Sequence, residues 1–310
     1  RGCCKIGIAR YVAERLSIPH RVIDIRDHFR TAVVQDFIEG YLSGLTPNPC
    51  VRCNERVKFG CLVDAARELG ADYVATGHYA QVLPDAEGHL HLHKGGDPRK
   101  DQSYFLYRLN RGWLPRLLFP VGGMHKDDVW SRAEALDLPA DDLKESQEIC
   151  FVTKGDYRGF LEEEAPQAVR PGAFVGTDGT VVGTHRGVPF YTPGQRRGLG
   201  LSAEQRLYVV RVDPASNTVV VGREEDLLGA SCTVGDLNLI GMDPIDAPAR
   251  AQVKVRYASP AVPATIRPLD EGRLRVEFDS PQRALSPGQS AVFYQGERVL
   301  GGGIIEAGKG

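Results

Sequence analysis

Near Pro171 the chain changes texture, and that change limits its possible architectures more than any other feature. Upstream, stretches of helical spacing alternate with short strand-like runs. The segment 5–16 carries Ile8, Ala9, Val12, Ala13 and Leu16 at helical spacing, and 21–25 then alternates like a strand. Asp27 is placed to cap a second helix with the apolar face Val33, Val34, Phe37, Ile38, Tyr41 and Leu42, which Gly44 ends. A third helix runs through Val57, Leu62, Ala65, Ala66 and Leu69 to Gly70, and an apolar strand over 72–76 follows. A further helix is predicted over 126–136. Such alternation predicts an α/β region with a parallel sheet covered on both faces.

Downstream the signals are those of short antiparallel strands. Runs over 173–175 and 181–182 flank Thr177-Asp178-Gly179, and runs over 208–212 and 218–221 flank another turn. Five more, over 252–257, 264–267, 274–278, 290–294 and 298–305, are separated by Pro, Gly, Asp and Ser, which predicts an antiparallel barrel or sandwich. A helix over 157–164 and a basic loop over 185–201 lie between the halves and predict a small connecting domain. The expected domains are the α/β region 1–152, the connecting domain 153–223 and a terminal antiparallel β-barrel over 224–310.

A chain of 310 residues with 42% hydrophobic and 25% charged content fits a globular protein of two to three domains. No apolar run approaches the roughly 18–20 residues of a membrane helix. Residues 1–10 contain no signal-peptide core, so a cytoplasmic location is the default expectation. The net charge of −2 does not exclude a nucleic-acid partner, because phosphate contact depends on local clusters such as Arg196 with Arg197 and Lys254 with Arg256. Seven cysteines are too few and too irregular for a secreted disulfide scaffold, which leaves metal ligands, nucleophiles or buried small residues.

The densest chemistry lies in Thr46-Pro47-Asn48-Pro49-Cys50-Val51-Arg52-Cys53-Asn54. The prolines disfavour helix before Cys50, while Asn54 onward reads as helix, so Cys53 is expected near a helix N-terminus. Unpaired N–H groups there, with Arg52 and Arg56, favour a thiolate. The same Cys-x-x-Cys spacing also reads as a zinc half-site or a redox pair. Cys150 enters a short apolar segment and, by itself, reads as a buried cysteine at a domain boundary; Cys61 reads as core, and Cys3, Cys4 and Cys232 have uninformative surroundings. Gly77 and His78 follow a buried strand, at the sheet edge where ligands gather. Lys100, Asp101 and Gln102 precede an aromatic segment, predicted helical, in which Tyr104, Phe105 and Tyr107 are expected to pack.

Together, TPNPCVRCN, ATGHYA, KDQSYFL, LFPVGG, the Cys150 segment, TPGQRRGLG, VKVRY and PGQSAVFY, in this order, resemble the tRNA-specific 2-thiouridylases. The resemblance implies an ATP-pyrophosphatase-like (adenine nucleotide alpha hydrolase-like) N-terminal domain and an enzyme, a tRNA-uridine 2-sulfurtransferase. Its substrates would be the wobble uridine of tRNAs for Lys, Glu and Gln, with ATP and Mg2+. A persulfide on Cys150, loaded by a sulfur-donor protein, would supply the sulfur, and Cys53 would complete its release through a transient disulfide. Asn48, Pro49 and Cys50 would border the target base, Gly77 would contact ATP, and Lys100, Asp101, Gln102, Arg256 and Tyr257 would contact tRNA. Two departures stand out. The phosphate loop Ser-Gly-Gly-x-Asp-Ser is absent from the sequence and is expected upstream of it. Cys50 replaces an Asp found in some relatives, which leaves open a 4Fe–4S cluster on Cys50, Cys53 and Cys150. Two further alternatives are a tRNA-binding protein without catalysis and a zinc-dependent binding module.

Overall fold

The computed structural model describes residues 6–138, 149–152, 156–202 and 205–308. Cys3, Cys4 and residues 145–148 of the Cys150 segment lie outside them. The first helix, α1 (Ile6–Arg15), buries none of its residues. No strand forms over 21–25, where Val22 and Ile23 are exposed and no neighbouring strand takes up the alternation. Helix α2 runs over 26–42 and contains one wider turn, Arg30–Gln35. It begins two residues earlier than expected, so Asp27 lies in its first turn, where a carboxylate faces the positive end of the dipole, rather than at the cap. Helix α3 runs over 49–68.

The parallel sheet is a single pair among the described residues: β1 (Val74–Ala75) lies beside β4 (Leu117–Leu118). Between them in sequence, β2 (Ala80–Pro84) and β3 (Leu90–Lys94) form a hairpin. The aromatic segment after Gln102 is only a 3-10 turn, Ser103–Phe105, but Tyr104 and Tyr107 are fully buried as expected. Helix α4 is Lys126–Ala135.

The middle unit packs α5 (Tyr157–Glu164) against a four-stranded sheet in the order β6-β5-β8-β7. Its strands are β5 (Gly172–Gly176), β6 (Val181–His185), β7 (Tyr208–Asp213) and β8 (Thr218–Gly222), with β5 and β8 parallel. The C-terminal unit is a barrel rather than a sandwich. Its strands are β9 (Leu228–Asn238), β10 (Ala249–Lys254), β11 (Val262–Leu269), β12 (Arg273–Arg283), β13 (Ser290–Gln295) and β14 (Arg298–Ile305). They follow the order β13-β10-β11-β12-β9-β14, and pairing of β13 with β14 closes the ring, which removes free edges. The hairpin β2–β3 hangs on its outside through Arg298 opposite His93.

The cores explain how the units hold together. Val234, Ile266, Val276 and Phe293 fill the barrel interior. On the other face of β13, Val292 and Tyr294 join Phe59, Leu92, Tyr104 and Tyr107 in a core shared with the N-terminal region. This two-sided burial accounts for the unbroken apolar run in β13. The apolar face of α2 (Val34, Phe37, Ile38, Tyr41) packs instead against the middle unit, on Phe174, Phe190 and Val219. Each such buried side chain contributes about 1.5–3 kcal/mol relative to exposure. No helix among the described residues is long and apolar enough to cross a membrane.

Candidate active site

The cysteine turn begins on a cap. Asn48 is extended, and its side chain accepts from the Val51 amide at 3.4 Å. Pro49 takes the first helical position, where the missing N–H costs nothing. The helix therefore starts before Cys50: Cys50 lies in the first turn and Cys53 one turn further in. Cys50 is exposed and Cys53 half-buried. Cys53 packs against the cluster of Ala32, Val33 and Val57, which Phe151 and Cys61 also join. Phe151 meets Phe37 edge-on at 5.2 Å and Phe160 at 5.4 Å between ring centres. The neighbouring Cys150 is exposed, not buried as its local sequence suggests, and Phe151 anchors its turn beside the helix that carries Cys53. Burial raises the pKa of Cys61 and pushes that of Cys232 up to about 12, which leaves both poorly suited to act as thiolates.

The arginines beside Cys53 are not the uncompensated charges their sequence suggests. Arg52 pairs with Asp236 at 2.8 Å, Glu55 at 3.1 Å and Asp36 at 3.6 Å. Arg108 pairs with Glu55 at 2.9 Å and Asp236 at 3.0 Å, while Arg56 lies 3.8 Å from Asp36. Three guanidiniums thus face three carboxylates. Burial opposes ionisation of Asp236, yet hydrogen bonding from Arg52 and the charge of Arg108 keep its pKa below the usual value. None of Asp36, Glu55, Arg108 and Asp236 stands out in the sequence; the one trace is a charged residue inside an apolar β9.

At the end of β1, Gly77 is exposed, and a Cβ built on it meets no atom within 4 Å. The chain itself does not require glycine there, and the open space fits close approach of a nucleotide to the backbone. His78 is buried between Phe59 and Phe119, with Nδ1 2.8 Å from the Thr76 hydroxyl; burial, then Lys58, lower its pKa to about 4. The neighbouring loop is tied to this edge. Gln102 donates its amide to the Tyr79 carbonyl at 2.8 Å and accepts from the Tyr79 amide at 3.0 Å. Asp101 is buried and accepts from the Gly95 and Ser103 amides, each at 3.0 Å, and from the Ser103 hydroxyl. The backbone of Lys100 donates to the Asp97 carbonyl.

The same loop brings the barrel residues in. The Tyr257 ring lies tilted against Phe105, 4.4 Å between centres, with the Lys254 ammonium 5.3 Å from its ring. The Tyr104 hydroxyl, which the Asn48 side chain neighbours, donates to the Ser290 carbonyl at 3.0 Å. Asn48, the 100–105 loop and Tyr257 therefore share one neighbourhood. Arg256 turns away from it: Nη2 donates to the Ala284 carbonyl at 2.6 Å, the Ser286 hydroxyl at 2.7 Å and the Pro193 carbonyl at 3.3 Å. It fastens the basic loop of the middle unit to the barrel. Among the described residues no three His, Cys, Asp or Glu side chains converge as metal ligands, so Cys50, Cys53 and Cys150 as placed do not fit a cluster.

Comparison with known proteins gives this architecture a class. Residues 2–154 match a family described as tRNA methyl transferase HUP domain, 158–223 a tRNA methyl transferase PRC-barrel domain and 230–305 an aminomethyltransferase beta-barrel domain. A tRNA-specific 2-thiouridylase MnmA from Moorella thermoacetica is 47% identical over 310 residues, covering 99% of this chain and 87% of the relative. The corresponding proteins of Acetivibrio thermocellus (44%; 98% and 86% covered) and Pelotomaculum thermopropionicum (45%; 99% and 85% covered) are similarly close. The chain belongs to the tRNA-specific 2-thiouridylase family.

Proposed function

We propose that the protein is a tRNA-uridine 2-sulfurtransferase that forms 2-thiouridine at the wobble position of tRNAs for Lys, Glu and Gln, with ATP and Mg2+ as co-substrate and a persulfide protein as sulfur donor. The relatives' names and the HUP match support the reaction class and ATP use. The observation that carries the roles of the cysteines is the placement of Phe151, which draws the Cys150 turn into the apolar cluster that contains Cys53.

The chemistry that ATP supplies when bound is activation, by which the uridine O2 departs as part of AMP; Gly77 leaves room for it. The outer sulfur of a Cys150 persulfide attacks C2 and forms a C–S bond. The Cys53 thiolate then attacks Cys150 Sγ, the sulfur–sulfur bond breaks, and its electron pair stays with the sulfur now on C2. A Cys53–Cys150 disulfide remains, which an external thiol reduces for the next turnover. Asn48, Pro49 and Cys50 border the flipped base at the helix start. Lys100 and Tyr257 face the tRNA, while Asp101, Gln102 and Arg256 hold the loops that do so. The working domain division is 1–152, 153–223 and 224–310.

The test is replacement of each cysteine. Cys53→Ser and Cys150→Ser should each lower 2-thiouridine formation by about 10³-fold or more, as for loss of a nucleophile. Affinity for tRNA should stay within about twofold, since neither thiol contributes to phosphate contact. Thiolation that survives either replacement refutes the mechanism.

A further inference from the structure

Asp236 lies on β9 of the barrel, yet its side chain reaches the cysteine helix. Its backbone is left-handed, with φ of 45°, a conformation a non-glycine residue keeps only where its surroundings hold it. What fixes it is a set of charge-assisted contacts. Oδ2 accepts from Arg52 Nη2 at 2.8 Å, Oδ1 from Arg108 Nη2 at 3.0 Å, and the Asp236 carbonyl from Arg108 Nη1 at 2.7 Å. Both arginines are largely buried. Arg52 is the residue immediately before Cys53, so the carboxylate acts one bond-chain away from the thiol.

The other side of the same turn is held by the barrel as well. The Thr46 amide donates to the Pro287 carbonyl at 2.7 Å, and Gln289 Nε2 donates to the Thr46 carbonyl at 2.9 Å. Residues 46–52 are thus gripped at both ends by the barrel, with Asn48, Cys50 and Cys53 between or next to the grips. Only the Asp236 grip is ionic.

We propose that Asp236 is a positioning residue for the cysteine turn, acting through Arg52, so that the barrel sets where Cys53 points. The proposal rests on the sulfurtransferase reading for its consequence in turnover, but not for its structural content. Removing the carboxylate leaves Arg52 to Asp36 and Glu55, for which Arg56 and Arg108 also compete. Arg52 then pulls towards α2, and the Cys53 turn follows.

Two readouts in the full protein separate these layers. Asp236→Asn should lower kcat for thiolation by about tenfold, with KM for tRNA within about twofold, and Asp236→Glu should recover most of the loss. The second is independent of turnover: the iodoacetamide alkylation rate of Cys53, read on the tryptic peptide 53–56, which contains no other cysteine. That rate should change by about threefold or more in Asp236→Asn and return towards the parent value in Asp236→Glu. Arg52→Gln, which cuts the same link from the helix side, should reproduce both effects if Asp236→Asn folds poorly; trypsin no longer cuts at position 52 there, so Cys53 alkylation is read by fragmenting the peptide 31–56, which also holds Cys50. Unchanged kcat and unchanged alkylation in folded variants overturn the proposal, as does a fall in kcat that merely tracks the folded fraction. Should the parent protein form no 2-thiouridine, the functional reading fails, and the alkylation rates alone decide the positioning role.

Discussion

The barrel and the cysteine-bearing region are organised in opposite ways. The barrel closes on itself, and its interior is filled by its own strands. The N-terminal region has a two-stranded parallel pair, a first helix that buries nothing, and cores borrowed from its neighbours. Phe59, Tyr104 and Tyr107 are completed by Val292 and Tyr294 of the barrel, and Phe37 and Tyr41 by Phe174 and Phe190 of the middle unit. The cysteine turn therefore has no independent seat. Its geometry belongs to the assembly, while the element without proposed catalytic groups supplies the rigidity.

That contrast can be broken experimentally. Phe293→Ala, a full truncation inside the barrel, should cost about 3–5 kcal/mol. Amide exchange over 49–68 should accelerate along with the barrel strands; unchanged exchange there would show that the cysteine helix stands alone. Gly288→Val is a narrower probe. Gly288 has φ of 90°, and a Cβ would lie 2.7 Å from the Thr46 amide nitrogen. Backbone strain and overpacking should together cost about 2–4 kcal/mol, felt in the 46–53 turn more than in the barrel interior, as hydrogen exchange would report.

The smallest effect concerns pH and only the N-terminal region. His78 has a folded-state pKa of about 4 against an ordinary value of 6.5, because it is buried neutral. The unfolded chain binds this proton first, so stability is complete above pH 6.5 and falls as pH drops towards 4. The loss should be roughly 2–3 kcal/mol. His78→Asn should flatten this part of the denaturation-midpoint profile, and an unchanged slope would place the acid sensitivity elsewhere.

Much of this was legible in the sequence where local signals and partners agree. The hairpins around Thr177-Asp178-Gly179 and 213–217, the apolar face of α2 and five barrel strands all formed. The failures share a cause, which is that distant partners decided the outcome. The run 21–25 has the alternation of a strand but no strand beside it. Conversely, β9 contains Gly229, Gly235 and Asp236, all poor strand formers, and forms because β12 and β14 flank it. In β3, for which the sequence reading offers no element, His91 is buried, with Nε2 2.8 Å from Asp85. At the cysteine turn the sequence misplaced the helix start, since Pro49 serves as the first helical residue rather than a barrier. The acids that neutralise Arg52 come from α2, α3 and β9, a convergence that sequence spacing does not encode.

One contact carries a consequence for biosynthesis. Gln289 and Thr46, joined across the cysteine turn, are 243 residues apart in the chain. Contacts of such separation form late, after the loop between them has been made and closed. A polypeptide emerging from the ribosome in order thus displays Cys50 and Cys53 long before it holds the strands that aim them. The contacts of the turn with the barrel arise only after residues 236–289 have been made, and a product terminated before them carries the thiols without the means to orient them.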